Sequence, residues 1–118
     1  MVRETIRPLL VEAGFDHVRE ATLATEAIAL AELLQPDVVV LDLSLPGMSG
    51  LQAIPIVKLV SPRSAVVVFS AYDIWREAAV DAGAFEYVDK SDLPALQRVL
   101  QQVATRGPLD RTTRSPKT

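Results

Sequence analysis

The stretch Pro36-Asp37-Val38-Val39-Val40-Leu41-Asp42-Leu43 ends an apolar run on a carboxylate, and the turn-rich Ser44-Leu45-Pro46-Gly47-Met48-Ser49-Gly50 follows at once. A continuous Val/Leu run bounded by Pro and Gly reads as a strand buried on both faces. Burying a carboxylate without partners is costly. Asp42 is therefore placed at the C-terminal mouth of a parallel sheet, where open α/β folds bind their ligands. Taken alone, an acid at such a point serves equally well to cap a helix or begin a turn.

The runs on either side decide between these roles. Ala65-Val66-Val67-Val68-Phe69 is a second buried run and ends in Ser70. Phe85-Glu86-Tyr87-Val88 is a third, followed by Asp89-Lys90. Helical spacing separates them. Val2, Ile6, Leu9, Leu10 and Ala13 share a period that Gly14 stops, with Pro8 inside it. Thr25 is the expected cap of a helix through Ile28, Leu30, Leu33 and Leu34, and Pro36 ends it. Leu51 to Val60 reads as helical, with Pro55 confining the regular part to its later turns. Ile74 to Ala82 is a helix closed by Gly83. Ser91 or Asp92 caps a last helix carrying Pro94 in its first turn and Leu96, Val99, Leu100 and Val103 on one face. Phe15 to Glu20, short and polar around His17 and Val18, reads as an edge strand.

Strands alternating with helices predict right-handed βαβ units and a parallel sheet. Asp42, Ser70 and Lys90 each terminate a strand, so the fold gathers an acid, a hydroxyl and an amine at one mouth. A carboxylate can attack phosphorus to give an acyl phosphate. Phosphoryl transfer needs positioning and cations around the phosphoryl oxygens. Lys90 supplies the charge and Ser70 a hydroxyl.

Composition excludes much else. The chain has 118 residues, 49% apolar and 23% charged, and a net charge of −3. It is long enough for one domain. The acidic balance predicts no direct nucleic-acid binding. With no cysteine and one histidine, His17, thiolate and multi-histidine metal sites are excluded. No stretch approaches the roughly 18 apolar residues of a membrane span, and no apolar leader follows Met1, so no membrane partner and a cytoplasmic location are expected. Residues 1–104 form the expected domain, and 105–118 a disordered basic tail. A phosphohydrolase with an aspartyl nucleophile wants a second acid two residues on, and that position is Ser44. No enzymatic activity is expected beyond loss of the chain's own phosphoryl group.

The chain resembles the receiver domain of two-component response regulators. The matching residues are Asp42 in Val-Val-Val-Leu-Asp-Leu, Leu-Pro-Gly-Met-Ser-Gly-Leu at 45–51, Ser70 in Val-Val-Phe-Ser-Ala, and Lys90 in Ala-Phe-Glu-Tyr-Val-Asp-Lys. The resemblance covers residues 2–104 and implies a flavodoxin-like, doubly wound parallel sheet. It implies Asp42 as phosphoacceptor, Ser70 as switch hydroxyl, Lys90 as phosphate-binding cation and Tyr87 as switch aromatic. It also implies a histidine kinase or phosphotransfer protein as donor and an output protein of unknown identity. The expected cofactor is Mg²⁺, held by Asp42 and the Ser44 backbone carbonyl.

One departure stands out. The family opens with a buried strand ending in an acidic pair that helps hold Mg²⁺, and here both are absent. Glu4 lies beyond those positions. The sequence therefore predicts an N-terminally truncated receiver with four strands of five and weakened or absent Mg²⁺ binding. The missing strand is central in the family's sheet, so a homodimer or strand swap that fills its place is an alternative. A phosphorylation-independent interaction module is the alternative function.

Overall fold

The computed structural model describes residues 2–15, 18–19, 21–43, 48–71 and 74–114, with side chains over 6–105 of that range. In chain order the elements are α1 (Val2–Glu12), α2 (Ala24–Leu34), β1 (Val38–Leu41), α3 (Gly50–Val60), β2 (Ala65–Ser70), α4 (Arg76–Ala82), β3 (Glu86–Asp89) and α5 (Leu93–Arg114). The strands form a parallel sheet in the order β1-β2-β3. Val38 pairs with Ala65 and Leu41 with Val68, while Val67 pairs with Glu86 and Ser70 with Asp89.

β2 is buried along its whole length, as the middle strand of a sheet covered on both faces must be. Its side chains alternate between two cores. Val66 and Val68 join Ala31 of α2, Ile54 and Val57 of α3, Ala79 of α4 and Tyr87. Val67 and Phe69 join Ile6 of α1, Val88, and Leu96 and Leu100 of α5. Helices on both faces of a parallel sheet make the doubly wound α/β architecture that the sequence predicts.

Several local readings change. Thr25 lies inside α2 and does not cap it. Leu23 holds the cap position without a side-chain bond. The Glu26 carboxylate instead reaches back to accept the Thr22 N–H at 2.9 Å. At the other end Gln35 adopts a left-handed conformation (φ 49°). Its Nε2 donates to Glu32 O at 2.9 Å and Val60 O at 2.8 Å, tying the ends of α2 and α3 together. Pro55 is exposed on α3 and does not shorten it; the helix runs from Gly50. The helical backbone of α5 runs from Leu93 to Arg114. Its last buried side chain among those described is Val103.

The sheet has three strands among the described residues, where the sequence predicts four. Of the expected edge strand, Phe15, Val18 and Arg19 are not in a strand, and Asp16, His17 and Glu20 lie outside the described residues. A short polar strand depends on a ladder partner, and among the described residues none lies beside β1 on the side away from β2. A groove of about 930 Å³ runs there instead, walled by Leu10, Val18, Leu30, Val39 and Phe69. Val38, Val39 and Val40 are consequently only half-buried, although theirs is among the most apolar runs in the chain. No helix among the described residues is long and apolar enough to cross a membrane.

Candidate functional site

Each strand delivers one side chain to the same end of the sheet. Asp42 follows β1, Ser70 closes β2, and Lys90 follows β3. Lys90 Nζ donates to Asp42 Oδ2 at 2.9 Å. β2 lies between the strands that carry them, so this bond spans the C-terminal end of β2, where Ser70 sits buried. The Lys90 backbone N–H also donates to Ser70 O at 2.9 Å, locking the start of the Lys90 turn onto the middle strand. The Lys90 and Asp42 side chains keep 23% and 26% of their exposure. They are reachable from outside while resting on an apolar floor.

Neighbouring turns fix these positions. A Cβ at Gly50 would stand 2.7 Å from the Leu43 Cα and 2.5 Å from its Cδ2. Only a glycine lets the start of α3 lie against the backbone that follows Asp42. After β3, Asp89 Oδ1 accepts the Ser91 hydroxyl at 2.7 Å and the Ser91 N–H at 2.8 Å. These two bonds hold the Asp89 carboxyl below its ordinary value of 3.8, with a lesser contribution from Arg76. Asp92, not Ser91, caps α5, its Oδ1 accepting the Ala95 N–H at 3.1 Å.

Tyr87, the switch aromatic that the resemblance implies, is buried, with 3% of its surface exposed. The sequence did not single out its neighbour Arg76. The Arg76 guanidinium carbon lies 4.9 Å from the centre of the Tyr87 ring, and Nη1 donates to Tyr87 O at 3.0 Å. One signal was available: a cation in the first turn of a helix opposes the helix dipole and calls for a reason.

The metal expectation meets a poor donor set. Mg²⁺ takes six oxygens in near-octahedral array, commonly one or two carboxylates with waters. Among the described residues no cluster of three or more His, Asp or Glu side chains exists. Asp42 supplies a single carboxylate and already carries an ammonium on Oδ2. The Ser44 carbonyl and the Glu4 side chain lie outside what is described. The described donors do not fit Mg²⁺.

The model of the response regulator receiver domain matches residues 1–101. The chain belongs to the receiver family. A transcriptional regulatory protein from Mycobacterium tuberculosis, PdtaR, is 36% identical over 104 residues, covering 82% of this chain and 50% of PdtaR. This receiver thus spans about half the length of that relative. A solved two-component response regulator of the LuxR family from Aurantimonas sp. SI85-9A1 is 33% identical, with a TM-score of 0.78, covering 88% of this chain and 77% of that one. A response regulator from Burkholderia pseudomallei, solved with a phosphorylated aspartic acid, calcium ion and citrate, is 26% identical with a TM-score of 0.74, covering 97% of this chain and 68% of that one.

Proposed function

We propose that this receiver accepts a phosphoryl group on Asp42 from a phosphohistidine donor and uses it to switch a partner-binding surface. The observation that carries this reading is the Lys90–Asp42 bond at 2.9 Å across the end of β2. It gathers a carboxylate nucleophile and a fixed cation around a point that Ser70 also borders. The phosphorylated aspartic acid of the Burkholderia relative supports the same reading.

The transfer is a displacement at phosphorus. An Asp42 carboxylate oxygen forms a P–O bond as the P–N bond of the donor phosphohistidine breaks. The departing electron pair stays on the imidazole nitrogen, which takes up a proton from solvent. Lys90 is already in place to neutralise charge on the phosphoryl oxygens, and the bond it gives up to Asp42 is replaced by bonds to the product. The product adds nearly two negative charges and strong acceptors beside Ser70. The hydroxyl can then turn toward them. That rearrangement biases the packing of α4, β3 and α5, a population shift driven by one charge event. No step is assigned to Mg²⁺.

Incubation with a small phosphodonor, with intact-mass detection, tests the proposal. One added PO₃H unit that Asp42→Asn abolishes is expected. No mass gain in the parent chain overturns it. A second reading is a receiver that engages its partner without phosphorylation; there, Asp42→Asn leaves partner binding unchanged.

A further inference from the structure

We infer that Arg76 is a positioning residue that holds Tyr87 inward and ties its ring to the start of α4. The signalling consequence rests on the phosphoacceptor reading above; the contact itself does not. Arg76 grips Tyr87 twice. Its guanidinium covers the face of the Tyr87 ring, 4.9 Å from the centre, and its Nη1 bonds the Tyr87 carbonyl at 3.0 Å. The ring interaction and the backbone bond constrain each other's geometry, because a planar guanidinium cannot rotate to improve one without disturbing the other. Arg76 is also the first residue of α4, where the helix dipole disfavours a cation. Its contact with β3 gives it a role that helix stability does not.

Connectivity turns this grip into a coupling device. Residues 71–75 join Ser70 to Arg76, and Val88 and Asp89 join Tyr87 to Lys90. Lys90 in turn bonds both the Ser70 carbonyl and the Asp42 carboxylate. The clamp therefore closes a circuit from Ser70 through the start of α4 to Tyr87 and back to the phosphoacceptor. A shift at the end of β2 reaches the ring through the Lys90 N–H bond to Ser70 O and along β3, and the clamp to the start of α4 then follows it or opens. Coupling of this kind requires a second arrangement of the ring that both ends of the circuit bias. With the clamp closed the ring is buried, 3% exposed. If Arg76 only shielded an edge strand, its loss would alter stability and leave the ring where it is.

The test uses the whole chain with Tyr72→Phe, leaving Tyr87 the only tyrosine, and with fluorotyrosine incorporated for ¹⁹F NMR. One resonance with little difference between H₂O and D₂O is expected for the parent. Arg76→Ala should move or split that resonance toward a solvent-sensitive position while circular dichroism stays native. Arg76→Lys, which restores the cation without the planar fork, should move it only part of the way back. A single buried resonance in Arg76→Ala overturns the inference. Should Arg76→Ala not fold, Arg76→Gln keeps a donor for the carbonyl and gives the same readout with the same two outcomes. A phosphodonor is added in a second arm. It should shift the parent resonance, and by at least twofold less in the clamp variant. Labelled Asp42 with a ring shift in Arg76→Ala as large as the parent's sinks the clamp. A ring freed by Arg76→Ala, in a chain that takes no label, upholds the clamp and sinks the phosphoacceptor reading instead.

Discussion

Lys90 Nζ and Asp42 Oδ2 meet at 2.9 Å although 48 residues separate them in the chain. The pair keeps roughly a quarter of its exposure, which limits what it contributes to folding. An exposed ion pair stabilises by about 0.2–1 kcal/mol. Its position over the end of the middle strand points to chemistry instead.

Lys90→Ala should therefore separate function from stability. Removing one preorganised charge donor from a site of this kind costs about 10²–10³ in rate. Labelling of Asp42 by a small phosphodonor should slow by that order, while the melting temperature moves little. Stopped-time mass spectrometry and thermal melts check both halves. A variant that labels at the parental rate would remove Lys90 from the mechanism.

Gly50→Ala tests how tightly the loop after Asp42 is held. The new methyl group would stand 2.7 Å from the Leu43 Cα, and backbone cannot swing aside as a side-chain tip can. Overpacking of this kind costs about 1–3 kcal/mol. At about 4–8 °C per kcal/mol for a domain of this size, thermal unfolding should resolve it. Displacement of Leu43 should also disturb the adjacent Asp42 and slow its labelling.

The site was legible in the sequence because Asp42, Ser70 and Lys90 each follow an apolar run, and parallel strands deliver such residues to one end. The strand expected at 15–20 is not found at Phe15, Val18 and Arg19, because a short polar strand is set by its ladder partner more than by its own residues. Thr25 misled for a related reason. Thr22, Glu26 and Thr25 all suit a helix start, and the choice depends on which register buries Ala24 and Ala31. The Arg76–Tyr87 contact joins the start of a helix to a strand eleven residues on, a relation no periodicity carries. Tyr87 itself reads as a strand residue whichever way its ring points.

The turn before β2 offers a buried polar network. Ser64 is fully buried, its Oγ donating to Pro36 O at 2.5 Å and lying 2.6 Å from Ser61 Oγ. Ser64→Ala strands both partners, and a buried unsatisfied polar group costs about 1–3 kcal/mol. Denaturant unfolding should show a loss in that range. Leu59→Ser, at a side chain 79% exposed, should stay within about 0.5 kcal/mol. Equal effects would contradict the packing described.

The groove beside β1 should be visible in solution. It combines half-buried Val38, Val39 and Val40 with Leu10 and Leu30 across a volume of about 930 Å³. Contiguous apolar surface of this kind binds apolar probes. The chain should enhance the fluorescence of an anilinonaphthalene dye at neutral pH, and Val39→Thr should weaken the response. Retained near-ultraviolet circular dichroism would separate this from a molten globule. A chain that leaves the dye dark would show the groove closed.

The Asp89 turn predicts a pH dependence with a definite sign. Two bonds from Ser91 favour the ionised carboxyl and hold it below its ordinary value of 3.8. A group lowered on folding contributes stability that is fully present above the unfolded value. That contribution is lost as pH falls through the lowered folded value. Between neutral pH and about 4 the turn should therefore hold, and it should weaken only as pH falls below 3.8. Ser91→Ala removes the hydroxyl bond, the larger of the two, so the Asp89 carboxyl should rise toward its ordinary value. Carbon-detected NMR titration of Asp89 in both chains measures this directly. The variant should also lose stability at neutral pH relative to the parent, and the difference should shrink in acid as the parent's carboxyl is protonated. Identical titration curves would mean that the Ser91 bonds do not persist in solution, and would remove the constraint they place on the Lys90 backbone next to them.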